Sequence, residues 1–546
     1  MAVFLKILLL LLLTFVPFAF GGTEPWAFSI FQFGVCVLWI LYWASNRGEL
    51  HYTKISKITL ITLGFLPLLA LVQACFGSHL LQPVMWWHPV SMMPLFTLES
   101  ASVLATYWMV CWLTGQLFAR HQSVKYLLYT LTLLPVLVAL CAWGMPDGEY
   151  IFRLTHIRGG IGPFLNRNHA AVFFALGAVL SLGLCMASMV NKYASVSVKK
   201  KFHISAWTIL WGGLFLFLTF STVFTRSRGG MLSLLIGLFC YAFLFLATLK
   251  NAPHTRKRGL LYTGILLILS VGWISTHIDQ INAFTQRTDP TSTQVRYMLY
   301  QAAGHTLQQY PLWGIGLGAL PVVIPAYTAD PLEQYIERLH NDWLELLISI
   351  GLIGLLPLLV GGAMVGYFAY KRLRKLPATK RPLFTALITA LLVVSAASLV
   401  DFHFYIPANA LWFFTCLGLV GAPTFDKHHV HVLEFPGWSR VLVAILLLAA
   451  LYVPFHKTLA WRSVLFSQGL KTPAKLALYR QALQAYPSPR YAVRLANACL
   501  NASAQAPTAA QRHALRQEAH EIATTYLTRY PKEPELSLVY LRSQQN

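Results

Sequence analysis

The feature that most constrains this chain is a long series of apolar runs, each about 20 residues in length and almost free of charge. A helix of about that length spans the ~30 Å hydrocarbon core of a bilayer. The predicted spans lie near residues 3–21, 26–45, 58–76, 97–118, 125–143, 169–190, 204–223, 230–249, 259–276, 343–369, 382–400, 405–421 and 438–456. The sequence therefore predicts an all-α polytopic membrane protein with about 13 transmembrane helices.

The composition agrees with a chain that is solvated mainly by lipid. Of its 546 residues, 56% are hydrophobic and 11% are charged, whereas an average soluble domain has about 25% charged residues. A nuclear factor, a cytosolic dinucleotide-binding enzyme and a disulfide-stapled secreted module are thereby excluded. The eight cysteines form no C-x-x-C pair, so we predict neither a disulfide framework nor a zinc site.

The Lys and Arg residues are concentrated in alternate loops between the predicted spans. The basic loops are 46–57, 119–125, 191–203, 250–258 and 370–381. The loops that contain neither residue type include 22–25, 77–96 and 401–406. The positive-inside rule makes the basic loops cytoplasmic, which predicts a cytoplasmic N-terminus and an extracytoplasmic C-terminus. Cleavage of the first span as a signal peptide leaves the downstream orientation unchanged.

These loops also explain the formal net charge of +23. A nucleic-acid-binding protein clusters Lys and Arg on one soluble face, and this chain spreads them in short groups between apolar runs. We therefore predict anionic membrane lipid as the counter-charge at the cytoplasmic face, and no nucleic-acid partner.

Three loops on the predicted outer face carry arginines that the positive-inside rule does not require. They are Arg153, Arg158 and Arg167 before the sixth span, Arg226 and Arg228 before the eighth, and Arg287, Arg296 and Arg338 before the tenth. Arg226 and Arg228 are separated by one serine and followed by two glycines. That pair can hold phosphate oxygens as a fork or can simply snorkel to the interface. An anionic ligand outside the membrane explains the three groups.

The stretch Gly162–His169 is another polar group on the outer face. It ends in Asn166, Arg167, Asn168 and His169, immediately before the sixth span. It is either a capped helix start or a segment that hydrogen-bonds sugar hydroxyls.

The outer segment 277–342 is 66 residues long, and loops of that length are usually functional. It leads to His340 at the N-terminal end of the tenth span, where free N–H groups and the helix dipole favour anions. His340 can act as a base toward a hydroxyl or bind phosphate, and Asn341 can equally be a helix cap. Glu345 lies one turn deeper and fits a structural ion pair as well as a catalytic carboxylate.

The last 90 residues, 457–546, form a separate soluble domain. Thr472-Pro473 and Ser488-Pro489 each offer an N-cap followed by proline at the first helical position. Tyr486-Pro487 and Tyr530-Pro531 end two helices in the same way. We predict a tetratricopeptide-like helical domain, which either caps the outer surface or docks an acceptor or partner.

Together these motifs resemble the O-antigen ligase and O-antigen polymerase superfamily, over roughly residues 160–360. The resemblance is carried by the run from His340 to Leu347 with Gly351–Gly354, by Tyr310–Gly318, Arg296 and Thr225–Gly230, and by the Asn-x-Asn segment within Gly162–His169.

The resemblance implies a GT-C-like glycosyltransferase over residues 1–456, with the helical domain 457–546 in the periplasm. Such an enzyme moves a glycan from an undecaprenyl-diphosphate carrier to a lipid, glycan or protein acceptor at the bacterial inner membrane. By that resemblance, Arg228 and Arg296 hold the diphosphate and His340 activates the acceptor or assists at the reacting centre. Further substrate-binding residues are expected at Asn166, Arg167, Asn168, His169, Arg226, Arg338, Asn341 and Glu345.

One position departs from the family pattern. The family often has a glutamate two residues before the glycine that corresponds to Gly351, and here Ser349 stands there; Glu345 can take its place. The outer loops contain no D-x-D motif, so we expect arginine to replace a metal and no cofactor to be needed. Inversion of configuration is expected from the family.

The alternative function is a flippase or transporter of lipid-linked glycans. Transporters typically have internal repeats and polar residues near the bilayer midplane. In this sequence the polar groups collect at one face and the two halves are not repeated, which favours the enzyme.

Overall fold

The computed structural model describes residues 1–46, 49–76, 91–119, 121–145, 160–194, 205–248, 264, 290–328, 336–426, 429–434, 436–528, 530 and 534–544. Apart from Gly264, the predicted ninth span at 259–276 lies outside the described residues, as do Arg153, Arg158 and Arg287.

The described part of the chain is almost entirely helical. Its helices are α1 (Ala2–Phe18), α2 (Pro25–Ser45), α3 (Lys54–Cys75), α4 (Pro94–Leu117), α5 (His121–Gly144), α6 (Arg167–Ala194), α7 (Ala206–Phe224), α8 (Arg228–Ala247), α9 (Pro290–Gln309), α10 (Leu320–Val323), α11 (Asp342–Lys375), α12 (Arg381–Ala397), α13 (Pro407–Gly421), α14 (Gly437–Ala450), α15 (Tyr452–Phe466), α16 (Thr472–Ala485), α17 (Pro489–Gln505), α18 (Ala509–Leu527) and α19 (Pro534–Gln544). Two short strands, β1 (Glu49–Tyr52) and β2 (His431–Glu434), and three short 3-10 helices (Phe20–Gly22, Ile324–Ala326 and Pro423–Phe425) complete the described elements.

The helices agree with an all-α membrane protein. Within the described ranges, α2, α3, α5, α6, α7, α8 and α11 are long and apolar enough to cross a membrane, and α1, α12 and α13 are shorter apolar helices. The predicted last span, 438–456, is divided between α14 and α15. The count of about 13 crossings stays a prediction.

Loops that the charge pattern assigns to one face lie together. β1, after α2, pairs antiparallel with β2, after α13, and both follow helices that run toward the predicted cytoplasmic side. At the other end of α2, Ser29 donates to the Pro454 carbonyl of α15 at 3.1 Å. The two predicted faces therefore correspond to opposite ends of the bundle.

Helix α6 is the centre of the bundle. Every residue of its most apolar stretch is buried, and it packs against α5, α7, α8 and α12. This position carries the residues at its start to the end of the bundle that is predicted to face outward, beside the segment that connects α12 and α13.

Helix α11 is interrupted at Gly351, where the backbone has φ +58°. The Tyr310–Gly318 stretch docks into this interruption: Gly316 N–H donates to the Ser349 carbonyl at 3.0 Å, and Leu352 N–H donates to the Pro311 carbonyl at 3.0 Å. A β-carbon on Gly351 would collide with the Leu312 carbonyl. The glycine-rich stretch is thus a structural element that closes the helix break.

Replacing Gly351 by alanine is expected to destabilise the protein by more than the roughly 1–3 kcal/mol that a residue in this sparsely populated backbone region costs, because the methyl group also displaces the docked loop. Gly362→Ala is the matched control on the same helix, since a β-carbon there meets no atom within 4 Å. Thermal midpoints in detergent measure the difference. Equal midpoints for the two variants would contradict the docking role of Gly351.

The C-terminal helices α15 to α19 pack as successive neighbours. Ser488 caps α17 as predicted, because its side chain accepts from Tyr491 N–H. The other predicted cap is wrong: α16 already begins at Thr472, and Lys471 at its N-cap makes no side-chain cap bond. The likeness to tetratricopeptide repeats stays a prediction.

Candidate active site

The candidate site is built around Asp401, in the segment that connects α12 and α13. Asp401 is 3% exposed. Its Oδ1 lies 3.0 Å from His340 Nδ1, and its Oδ2 accepts from Asn168 Nδ2 at 2.8 Å. The site therefore joins the starts of α6 and α11 through one buried carboxylate.

Asp401 is ionised at neutral pH. Burial by itself raises the pKa of a carboxyl, but the hydrogen bond with His340 outweighs it and holds the pKa of Asp401 well below its usual range. An ionised carboxylate only accepts hydrogen bonds, so the shared proton belongs to His340 Nδ1. In the neutral imidazole, Nε2 is then the free acceptor.

The backbone at His340 is held in an uncommon conformation. His340 has φ +56°, and the Tyr300 hydroxyl donates to its carbonyl at 3.3 Å. Glu345 fixes the turn before it, because it accepts from Arg338 Nη1 at 3.0 Å and from Leu339 N–H at 3.1 Å. The side chain of His340 stays 35% exposed, so it remains available to a substrate.

Arg338 and Glu345 form an ion pair with each other. The Glu345 side chain is 1% exposed, and the Arg338 guanidinium stacks on the Tyr405 ring at 3.5 Å. The sequence allows Glu345 to be either a structural ion-pair partner or a catalytic carboxylate. In the structure it is an ion-pair partner. The structure does not bring these two residues to the other predicted arginines.

Asn341 and Asp342 stabilise the start of α11 through hydrogen bonds. Asn341 is the N-cap and its Oδ1 accepts from Leu344 N–H at 3.0 Å. Asp342 Oδ2 accepts from Phe404 N–H at 2.9 Å, which ties α11 to the segment that carries Asp401. Asn341 is therefore a helix cap in this structure, one of its two predicted roles.

One arginine contacts the same segment, and three more lie near it. Arg296 on α9 donates to the Val400 carbonyl at 3.4 Å, and a β-carbon on Gly229 would lie 3.2 Å from Val400 Cγ2. Arg228 next to that glycine is the first residue of α8. The charges of Arg226 and Arg228 act on the Arg167 guanidinium at the start of α6. Such a group of cations suits a diphosphate.

The polar residues 166–169, at the start of α6, face in two directions around Phe402. Arg167 lies with the other arginines and Asn168 hydrogen-bonds Asp401. In contrast, Asn166 and His169 line a cavity of about 1210 Å³. The Phe402 ring lies 5.1 Å from the His340 ring and 4.7 Å from the His169 ring. Phe402 therefore contacts both His340 and His169, and it lines the cavity as well.

The sequence analysis missed Asp401 and Tyr300. It treated 401–406 only as a loop without Lys or Arg, although Asp401 is an acidic residue between two apolar runs in a chain with 19 acidic residues. The scarcity of acidic residues in this chain was the signal that could have identified Asp401. Tyr300, on a helix outside the predicted spans, carried no comparable signal.

Comparison with family models matches residues 213–359 to the family described as O-antigen ligase. The matched range includes Arg226, Arg228, Arg296 and His340. Asp401 lies outside it. Comparison with curated proteins finds no match.

Proposed function

We propose that this protein transfers a glycan from an undecaprenyl-diphosphate carrier to an acceptor at the periplasmic face of a bacterial inner membrane. The proposal starts from the match of residues 213–359 to the O-antigen ligase family. The transfer is ligation, polymerisation or O-linked protein glycosylation. The N-terminus lies in the cytoplasm and residues 457–546 lie in the periplasm.

The observation that carries this proposal is that Arg296 and His340 both contact the segment 398–402, with Arg228 next to Gly229 at the neighbouring helix start. Cleavage of a sugar–phosphate bond leaves a diphosphate with growing negative charge. Guanidiniums that are already in place near lipid stabilise this charge more than water does. Arg228 and Arg296 hold the diphosphate in this proposal, with Arg167 and Arg226 beside them.

His340 serves as the base for the acceptor. Its Nδ1 is held by Asp401, and its Nε2 takes the proton from the acceptor hydroxyl. The hydroxyl oxygen then forms a bond to the anomeric carbon, the bond from that carbon to the phosphate oxygen breaks, and the electron pair leaves with the diphosphate. Attack from the face opposite the diphosphate inverts the anomeric configuration.

The alternative, a flippase or transporter, is less well supported because the polar groups collect at one end of the bundle. Reconstitution of the purified chain with a lipid-diphosphate glycan and an acceptor separates the two. Glycan transfer without translocation supports the enzyme. Translocation without bond cleavage rejects it.

Transfer is expected to continue at full rate in excess EDTA, because guanidiniums take the place of a divalent metal at the diphosphate. The measurement is the initial rate of glycan transfer by reconstituted protein. EDTA that has been saturated with Mg²⁺ controls for ionic strength. Strong inhibition by EDTA alone, reversed by adding metal, would contradict a metal-independent mechanism.

A further inference from the structure

One helix of the predicted outer segment, α9, contacts the backbone on both sides of the His340–Asp401 pair. Its Tyr300 hydroxyl donates to the His340 carbonyl at 3.3 Å. Four residues earlier, Arg296 donates at 3.4 Å to the carbonyl of Val400, the neighbour of Asp401. Residues four apart lie on the same face of a helix. One face of α9 therefore bridges the backbone before α11 and the backbone after α12.

The opposite face of α9 is packed into the protein. Leu299 is 1% exposed and Ala303 is fully buried, and both belong to one apolar cluster with Leu339. Leu339 is the residue before His340, so α9 rests directly on the turn that carries the base. Because this packing already orders α9, the hydrogen bond of Tyr300 requires little further ordering of the chain.

The backbone of His340 needs such a support. Among the described residues other than glycine, only Phe20, Arg226 and His340 have a positive φ. A residue with a β-carbon stays in that conformation only where the surrounding contacts hold it there. The hydrogen bond from Tyr300 is one of these contacts, because it is made to the carbonyl of His340 itself. Without it, the His340 backbone can relax toward negative φ, which turns the imidazole away from Asp401.

Tyr300 is suited to donating a hydrogen bond and not to taking part in proton transfer. It is half-buried, and burial raises the pKa of its hydroxyl. The hydroxyl therefore stays protonated at physiological pH. Its hydrogen bond goes to the backbone carbonyl and not to the imidazole ring, so Tyr300 acts on His340 through the backbone.

Building on the proposed function, we propose that Tyr300 is a positioning residue for the general base. Its hydroxyl holds the backbone of His340 at positive φ, which keeps Nδ1 on Asp401 and leaves Nε2 free for the acceptor hydroxyl. The Tyr300 proton stays on its oxygen throughout the reaction. Arg296 anchors the same helix beside Asp401, so α9 holds the two halves of the pair in place relative to each other.

The first test compares Tyr300→Phe with Tyr297→Phe in the full chain, reconstituted with a lipid-diphosphate glycan and an acceptor. Tyr297 is the matched control because it is an exposed residue of α9 whose hydroxyl accepts from Gln301 on the same helix. Loss of one neutral hydrogen bond is expected to lower the single-turnover rate of Tyr300→Phe about 3–10-fold. The donor concentration for half-maximal rate is expected to stay unchanged, because the arginines still hold the donor. Tyr297→Phe is expected to keep both values.

A variant with 4-aminophenylalanine at position 300 tests whether the donor group itself matters. Its ring amine restores an N–H donor in place of the Tyr300 hydroxyl, and it is expected to recover most of the rate that Tyr300→Phe loses. A merely space-filling role for Tyr300 would leave the phenylalanine and aminophenylalanine variants equal, which would overturn the proposal.

The second test follows the imidazole and needs no substrate. Labelling of histidine rings with ¹⁵N distinguishes a protonated from an unprotonated ring nitrogen by magnetic resonance, and the His340 signals are those that disappear in His340→Ala. At alkaline pH the wild-type chain is expected to carry the proton on Nδ1. In Tyr300→Phe the ratio of this tautomer to the Nε2–H tautomer is expected to fall about 3–10-fold, which corresponds to one neutral hydrogen bond. Tyr297→Phe is expected to keep the wild-type ratio.

An unchanged tautomer ratio in Tyr300→Phe would overturn the proposal, whether or not transfer slows, because Tyr300 would then not act through His340. Equal changes in Tyr300→Phe and Tyr297→Phe would also overturn it, since they would indicate a general weakening of α9. A tautomer change that is specific to Tyr300→Phe, in a chain whose wild type never transfers glycan, would reject only the proposed function.

Discussion

Replacing His340 by alanine is expected to lower the rate of glycan transfer about 10²–10⁴-fold, the usual range for removal of a general base. The acceptor hydroxyl then has no group nearby to take its proton, while the arginines still hold the donor. The measurement is single-turnover transfer by the reconstituted variant. His305→Ala is the matched control, because His305 is an exposed histidine on α9, and it is expected to keep the full rate.

Asp401→Asn tests whether the carboxylate orients that base. An asparagine amide in the same place can donate to His340 Nδ1, which moves the imidazole proton to Nε2 and removes the free acceptor. We therefore expect a loss comparable to that of His340→Ala, with membrane insertion and monodispersity unchanged. Full activity in Asp401→Asn together with an inactive His340→Ala would mean that Asp401 does not set the tautomer.

Arg228→Ala and Arg296→Ala are each expected to raise the barrier of transfer by about 2.7–4 kcal/mol, which is about 10²–10³-fold in rate. Each removes a fixed cation at the point where the departing diphosphate gains charge. Arg→Lys at either position keeps the charge but loses the planar fork, so an intermediate rate is expected. Rates at saturating donor separate weaker binding from slower transfer.

The control for these variants is Arg512→Ala, on the exposed surface of α18. Like the other two variants, it lowers the net charge of the chain by one, but Arg512 does not contact Val400. Wild-type transfer is therefore expected. If Arg228→Ala and Arg296→Ala transfer glycan as fast as Arg512→Ala, the arginines are interfacial anchors, which is the other role that the sequence allowed them.

Much of the candidate site was predictable because its cations break a local rule. Arg226, Arg228 and Arg296 stand on the predicted outer face, where the positive-inside rule does not place them. The structure brings Arg296 to Val400 and places Gly229, next to Arg228, beside the same residue. His340 was singled out by its position at the start of a span. The family match at residues 213–359 covers these same positions.

Other parts of the site were not predictable because they depend on partners far along the chain. The sequence left two roles open for Glu345, and its contact with Arg338 in the structure decides between them. Asn166 and His169 belong to one short motif, but the path of the chain past Phe402 turns them toward the cavity and turns Asn168 toward Asp401.

The sequence alone is enough to predict a helical membrane protein, most of its helices and the arginines on its predicted outer face. Hydropathy and charge act through the local cost of moving each residue into lipid, so they can be summed along the chain. Only the tertiary structure decided that His340 meets Asp401, 61 residues away, and that Asn168 meets it from 233 residues away. Those contacts arise from the packing of α12 against α6, α11 and α13, which a residue-by-residue sum along the chain cannot contain.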